Sequence, residues 1–522
     1  MLIKINFIKI ILLSVLVVHI SDGSSGKPAK IDKKPNIILI VSDDVGFEEI
    51  GCYGVLNNPS KTPNIDRLAD NGVRFNICYA QAICGPSRAM LYTGNYATHN
   101  GQFDNKLTYL SSTGEKINQR RSERQEIYDR LPLLTRVVKD AGYDVAWAGK
   151  WHHSTITGGF VHQQAERLGI DTYIEWTSNP SPYEKILNKK LTPDDTWEFA
   201  AISGGPIISR YWKPGLIKNG KVLETTMNDY GPDIFTDFIC DIVKNHKPNS
   251  APFFAMYAMN LAHSAHCITP LEVAVGEKPS NKHIRKGTPE GTAIFNSQVK
   301  YMDQLVGKII DTVHMQGLDK DTIIIYTSDN GTTSSAKGKG VEYGVHVPFI
   351  VSGYDVKKRI STNELMDFTD ILPTIAEWVG ADVSDKSLDG KSLASFLSGE
   401  VNTTKDVIYS FPGPVRLVRT KTHLLEALSP LYNQPEGKFY ETNGSFDGRG
   451  YKNVTHNKDA VPLREYFSEL LEKFPSTLPL TFDDPVWSRE EMQKGKDHFD
   501  NDRRKRLTLQ LPKNYSFYDD SL

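Results

Sequence analysis

The sequence predicts an α/β protein, a large α/β/α sandwich around a mostly parallel mixed sheet, with a smaller C-terminal α+β domain. Two observations carry that expectation. Over roughly residues 35–400, short runs of branched apolar residues alternate with stretches whose apolar positions recur every three to four residues. From about residue 405 the alternation stops, and segments mixing apolar and basic residues replace it.

Each element has its own reason. Asn36-Ile-Ile-Leu-Ile-Val-Ser42 reads as a strand buried on both faces. Thr62-Pro63 opens a helix, a cap followed by proline at the first helical position, and Gly72 is expected to close it. Leu131 to Ala141 reads as a helix stopped by Gly142, and Val145 to Ala148 as the next strand. Phe253 to Met259 is a further apolar run. A long helix then places Phe295, Val299, Met302, Val306, Ile309, Ile310 and Val313 three to four residues apart. Thr322 to Tyr326 and Val347 to Val351 read as strands, and Ile371 to Val379 lies in a helix. In the C-terminal part, Arg416 to Leu425 has a half-exposed strand pattern, Leu463 to Phe474 forms one amphipathic helix, and Ser488 to Arg506 is highly charged. The expected division is a signal peptide at 1–23, an α/β domain at 35–404, an α+β domain at 405–487 and a charged tail at 488–522.

Composition narrows the function. The 522 residues are 39% hydrophobic and 24% charged, a globular balance with enough chain for a sizeable core. Sixty-one Lys and Arg face 63 Asp and Glu, so no basic excess exists to condense on nucleic acid. Lys4 and Lys9 precede the apolar run Ile10 to Ile20, and Ser21-Asp-Gly-Ser24 follows, the pattern of a secretory leader. That run is too short to cross a bilayer core, and no later stretch reads as a membrane span. Export is therefore expected, and Asn402, Asn443 and Asn453 sit in glycosylation sequons.

Three polar groups follow apolar strands: Asp43-Asp44, Asn260-Leu-Ala-His263 and Ser328-Asp329-Asn330-Gly331. In open α/β sheets ligands bind beyond the carboxyl ends of the strands. Each group read alone also suits a turn. Brought together, three carboxylates and an amide supply oxygen ligands, which select Ca²⁺ or Mg²⁺ over zinc. Cys84-Gly-Pro-Ser-Arg88, followed by Thr93-Gly94, puts a cysteine at the N-terminal edge of a helix, where an anion is favoured. The competing reading is an inert buried thiol.

From Cys84 to Arg88 and on to Thr93-Gly94, the chain resembles the formylglycine-dependent sulfatases of the alkaline-phosphatase superfamily. The resemblance extends to Asp43-Asp44, Thr62 to Leu68, Gly149-Lys-Trp-His152, Asn260 to His263, Ser328 to Gly331, Lys339-Gly340, Asp367 to Gly380 and Asp389 to Leu393. It implies that a maturase oxidises Cys84 to formylglycine, and that one hydroxyl of the hydrated aldehyde attacks sulfur. It implies a divalent ion, usually Ca²⁺, held by Asp43, Asp44, Asp329, Asn330 and the modified Cys84. Arg88 would orient the hydrate, Lys150 and Lys339 would hold sulfate oxygens, His152 would take the hydrate's proton, and His263 would protonate the leaving oxygen. His153 reads as an ordinary packed or solvated histidine. The implied substrate is a sulfate ester, by location a sulfated carbohydrate.

Alternatives are a phosphodiester or phosphonate monoester hydrolase of the same superfamily and a non-catalytic glycan-binding relative. Departures from the family pattern are Ala262 and Ala265 in place of prolines, Thr332 to Ser335 after the glycine, a short segment after Lys339, and His346 where arginine is common. Asn330 also begins a sequon, and a ligand role requires it to stay bare. Cys52, Cys78, Cys240 and Cys267 allow up to two disulfides or four free thiols.

Overall fold

The computed structural model describes residues 34–474, apart from 57–61, 103–104, 106–107, 111–115, 119–130, 152–164, 177–183, 185–187, 189, 191–207, 265, 285–287, 332–335, 339, 412–414 and 429–435. The leader, the charged tail, His152, His153, Lys339 and most of the 155–216 segment lie outside the described residues.

The strands are β1 (Asn36–Ser42), β2 (Gly72–Tyr79), a short hairpin of β3 (Thr108–Leu110) and β4 (Lys116–Asn118), β5 (Asp144–Gly149), β6 (Thr172–Trp176), β7 (Leu216–Lys218), β8 (Lys221–Leu223), β9 (Phe253–Ala258), β10 (Thr322–Ser328), β11 (Phe349–Gly353) and β12 (Ile360–Asp367). Ten of them form one sheet in the order β12-β2-β11-β10-β1-β9-β5-β6-β7-β8. The central strands β10, β1, β9 and β5 run parallel, so their carboxyl ends share one edge. Strand β11 is antiparallel to both β10 and β2, which returns β2 to the common direction. A second, antiparallel sheet contains β13 (Val407–Ser410), β14 (Arg416–Thr420), β15 (His423–Leu428), β16 (Lys438–Glu441) and β17 (Lys452–Asn453).

The helices that matter for the site are α1 (Pro63–Asp70), α2 (Cys84–Thr93), α3 (Leu134–Asp140), α4 (Gly231–Asn245), α5 (Pro289–Met315), α6 (Glu342–Val345), α7 (Ile371–Val379) and α8 (Val461–Glu472). Strand β1 is buried along its whole length, as its uniform apolar run requires. Helix α5 buries Phe295, Val299, Met302, Val306, Ile309 and Val313 against the sheet. Motif residues outside the strand ends turn out to be fasteners. Asp303 of α5 accepts the backbone N–H of Asn64 and Ile65, and so pins the first turn of α1.

Several boundaries differ from the sequence reading. Helix α1 ends at Asp70, and Gly72 opens β2 instead of stopping the helix. A Cβ there would lie 2.0 Å from the Val351 carbonyl oxygen, so the glycine serves close approach of two strands. The strand expected at 347–351 is β11 at Phe349–Gly353. The single strand expected at 416–425 is a hairpin, β14 and β15. All five cysteines are free thiols. Among the described residues no helix is long and apolar enough to cross a membrane.

The two sheets meet at α6. Glu342 is wholly buried and is gripped by Arg419 of β14, by the Tyr79 hydroxyl at 2.8 Å and by the Tyr451 hydroxyl. Its N–H donates to Glu426 of β15 at 2.7 Å. The neighbouring Tyr343 hydroxyl donates to the Asp447 carbonyl at 2.5 Å.

His346 lies beside this cluster, stacked on Phe47 with ring centroids 3.7 Å apart and its Nε2 2.7 Å from the Asn76 carbonyl. Burial, reinforced by the Arg419 charge, holds its pKa down at about 3. The unfolded chain therefore binds a proton here between about pH 3 and 6.5 that the folded chain refuses, and stability falls as pH falls through that window. Denaturant unfolding at pH 8 and pH 5 should show wild type losing about 2 kcal/mol more than His346→Gln. An equal loss in both proteins would show that His346 does not titrate on unfolding.

Candidate active site

Each central strand delivers one piece of the site at its carboxyl end. Strand β1 leads into Asp43 and Asp44, β10 into Asp329 and Asn330, β9 into the Asn260–His263 turn, and β5 into Lys150. The turn after β2 brings in Cys84, first residue of α2. Asp44 has a φ of 63°, a left-handed conformation that aspartate tolerates better than most residues. Its N–H donates to Asp329 Oδ1 at 3.1 Å, and Asp329 N–H donates to the Ser42 carbonyl at 3.0 Å, so the two strand ends lock together.

Oxygens of Asp43, Asp44 and Asp329 lie within 4.8 Å of one another, and the three side chains are buried. Three buried negative charges at that separation demand cations. Arg88, one helical turn beyond Cys84, reaches Asp329 Oδ2 through Nε at 3.1 Å and a terminal nitrogen at 2.8 Å, and lies 3.7 Å from Asp43. Lys150 Nζ donates to Asp43 Oδ2 at 2.6 Å. Lys337 Nζ and Asn330 Nδ2 both donate to Asp44 Oδ1, at 2.5 and 2.7 Å. Burial alone would push Asp44 up, but Lys337 and His263 outweigh it and hold the carboxyl at about 2.

Three cations match three carboxylates in number, yet the cluster is not fully satisfied. Burial and the adjacent Asp43 push the Asp329 pKa up despite the Arg88 pair. Asp43 Oδ1 and Asn330 Oδ1 are buried acceptors with no hydrogen-bond partner. Buried acceptors are normally satisfied. Two unfilled hard oxygens beside three carboxylates fit a divalent cation of the Ca²⁺ or Mg²⁺ type. Asn330 is wholly buried, which suits a ligand and excludes a glycan there.

The turn that holds Cys84 is fastened by Ser87, whose hydroxyl accepts from the Gln81 N–H at 3.0 Å and faces the Gln81 and Ile83 carbonyls. Gly85 donates to Asn105 Oδ1 at 3.0 Å, and a Cβ there would meet that oxygen at 2.3 Å. The helix stops where expected, at Gly94 with a φ of 68°. Cys84 is buried beside Asp43 and His263. Burial would raise its thiol pKa, yet Lys150, Lys337 and a hydrogen bond with His263 pull it down to about 6. His263 Nε2 is 3.6 Å from Asp44 Oδ2. Burial and Lys337 lower the His263 pKa. Its backbone carbonyl accepts the Tyr211 hydroxyl at 2.5 Å, which also donates to the Asn260 carbonyl at 2.9 Å.

Of the residues singled out by sequence, Asp43, Asp44, Cys84, Arg88, Lys150, His263, Asp329 and Asn330 converge on one site. Lys339 and His152 lie outside the described residues. Three participants were not foreseen: Lys337, Asn105 and Tyr211. Lys337 had a signal, the run Ala336-Lys-Gly-Lys339, which offers two lysines to one site. Asn105 and Tyr211 had none, because both act on partners at least 20 residues away.

Comparison with known proteins shows the family and the fold. A family model described as Sulfatase matches residues 35–381. The chain is 28% identical over 458 residues to a protein named Sulfatase from Formosa agariphila, covering 78% of this chain and 80% of that one. It is 26% identical to N-acetylgalactosamine-6-sulfatase of Canis lupus familiaris, covering 74% and 70%. Its fold matches the crystal structure of Ps i-CgsB with a TM-score of 0.64 at 21% identity, covering 92% of this chain and all of that one.

The charge balance makes a stability prediction. Replacing Arg88 with methionine removes the one cation that ion-pairs with Asp329 among the described residues and should cost about 3–5 kcal/mol. Denaturant unfolding of metal-stripped protein measures it, and a loss below about 1 kcal/mol would show that the cluster does not need this guanidinium.

Proposed function

The chain belongs to the sulfatase family, and from that premise we propose that it is exported and cleaves sulfate esters of carbohydrates, using a formylglycine made from Cys84 and a bound Ca²⁺ or Mg²⁺. Sulfuric ester hydrolysis itself follows from the family. The observation that supports the finer reading best is Cys84 buried at a helix N-terminus between cations and a cluster of unfilled oxygens.

Asp43, Asp44, Asp329 and Asn330 would hold the ion with the modified residue 84, and the ion would lower the nucleophile's pKa and absorb transition-state charge. A hydrated aldehyde at position 84 would supply one oxygen to attack sulfur and a second through which sulfate is released. The remaining work falls to the chain. Arg88 fixes Asp329 and Asp43 in place beside residue 84. Lys150 and Lys337 both depress the Cys84 pKa, so their field reaches the reacting position and can hold sulfate oxygens. On this reading Lys337 takes the sulfate-holding role that family resemblance gave to Lys339, a residue outside the described ones. His263, within 4.8 Å of the Cys84 sulfur and anchored by Tyr211, is placed to give a proton to the leaving oxygen. His152 is assigned the opposite task, taking the proton whose loss expels sulfate. The leader at 1–23 is the basis for export, and the carbohydrate assignment follows N-acetylgalactosamine-6-sulfatase among the relatives.

Mass spectrometry of the peptide spanning Cys84, from protein made in its native host, should find the cysteine converted with loss of H₂S and gain of oxygen. A wholly unmodified cysteine overturns the aldehyde and favours a glycan-binding relative. An aryl sulfate should be turned over in preference to an aryl phosphodiester, and the reverse preference would transfer the chain to the phosphodiesterase branch.

Lys337→Ala should lower kcat/KM for the aryl sulfate by about 100-fold or more, and Lys339→Ala by much less. Equal losses would show that the two lysines share the role, and a larger loss in Lys339→Ala would return it to Lys339. Calcium at about 100 times its Kd should raise the stability of chelator-treated protein by about 2.7 kcal/mol, an effect Asn330→Ala should weaken. Calcium-insensitive melting would remove the ion from the reading.

A further inference from the structure

Arg210 differs from the other cations near the site. Arg88, Lys150 and Lys337 each face a carboxylate. Arg210 is 8% exposed, and among the described residues it forms no ion pair. One terminal nitrogen is wholly buried with no hydrogen-bond partner. Its guanidinium carbon sits over the Trp176 ring, 4.2 Å from the centroid, a cation–π contact that holds the fork against the indole. The indole is itself fixed, donating to the Ile208 and Ser209 carbonyls at 3.1 Å. A buried guanidinium that is rigid and unsatisfied is costly unless an anion arrives to meet it.

Its location says which anion. Trp176 ends β6, where Glu175 pairs in register with Gly149, the residue before Lys150. Tyr211, next in the chain, holds the carbonyls of Asn260 and His263. The Arg210 charge is also among those that lower the His263 pKa. The Asn260 side chain is buried with both amide atoms unpaired. Unfilled hydrogen-bonding groups therefore gather on the His263 side of the site, where the leaving alcohol, the sugar, must lie.

We propose that Arg210 forms a subsite for a second anionic group on the substrate, a uronate carboxylate or a further sulfate ester, so that the substrate class is a polyanionic glycan. This rests on the sulfatase reading for the position of the sugar. A planar fork matches the two coplanar oxygens of a carboxylate, or two oxygens of a sulfate, better than a point charge does.

The test is calorimetric binding to full-length Cys84→Ala protein, with and without Arg210→Met. Three disaccharides serve as probes: one with a single sulfate, one with a sulfate and a uronate, and one with two sulfates and no carboxylate. Arg210→Met should weaken the uronate or the disulfated probe at least tenfold more than the monosulfated one, the scale of a lost charge-assisted hydrogen bond. Whichever probe responds identifies the anion. A difference below tenfold for both overturns the subsite. The monosulfated probe reports whether the variant is folded; if it is not, Arg210→Gln and Arg210→Lys decide by the same ratio. Aryl sulfate turnover by the unaltered protein tests the enzyme reading separately. Selective binding in a protein without that turnover would keep the subsite and remove the sulfatase assignment.

Discussion

Mutual neutralisation of buried charge is the constraint on which the rest of the molecule depends. Asp43, Asp44 and Asp329 come together because β1 and β10 are neighbours in register from Asn36 and Thr322 to Ser42 and Ser328. Left alone, three carboxylates in a dry environment would repel one another and drive the strand ends apart. They are held by cations from three other places: α2, the end of β5 and the segment after β10. The electrostatic solution and the topology are therefore one arrangement. Any sheet order that parted β1 from β10, or moved β5 further from β1 than the single strand β9 now between them, would strand a charge.

The cluster also explains how so polar a region can be buried. Among the three carboxylates, Asn330 and their cations, donors and acceptors mostly satisfy each other, and the atoms left over, Asp43 Oδ1 and Asn330 Oδ1, are both oxygens. That residue of unmet demand is more informative than the charges themselves, because it specifies the chemistry of what is to be bound. The same logic applied to a donor instead of an acceptor leads to Arg210, whose demand is for an anion.

How much of this the sequence made legible depends on the range of the interaction. Strand β1 is plain because burial on both faces forces an unbroken apolar run, and α7 matches its expected span because Gly380 ends it in a left-handed conformation. Strand β12 escaped notice because it is an edge strand whose first half, Ile360 to Glu364, carries polar and partly exposed residues. Strand β2 escaped because Arg74 and Asn76 interrupt its apolar pattern, their side chains engaging Ser361 and Asn363 of that edge strand. The convergence of the candidate site was legible through residue types at strand ends, whose chemistry is unusual there. Arg210 and Tyr211 were not, since nothing local distinguishes them and their partners lie far along the chain. Between Lys337 and Lys339, spacing cannot choose, because a shortened segment changes the phase at which a side chain turns inward.

The grip of the second sheet on Glu342 bears on how the molecule can be divided. Glu342 stands five residues beyond Lys337, and its carboxylate is gripped by Arg419 and Tyr451 from the far side of the junction. Gly340, between them, leaves no room for a side chain against Val415. The boundary near residue 405 is thus no modular seam. A fragment cut there would keep the ten strands and every carboxylate, yet lose the brace behind one of its lysines, and a C-terminal sheet grafted from a cousin would have to bring its own matching arginine.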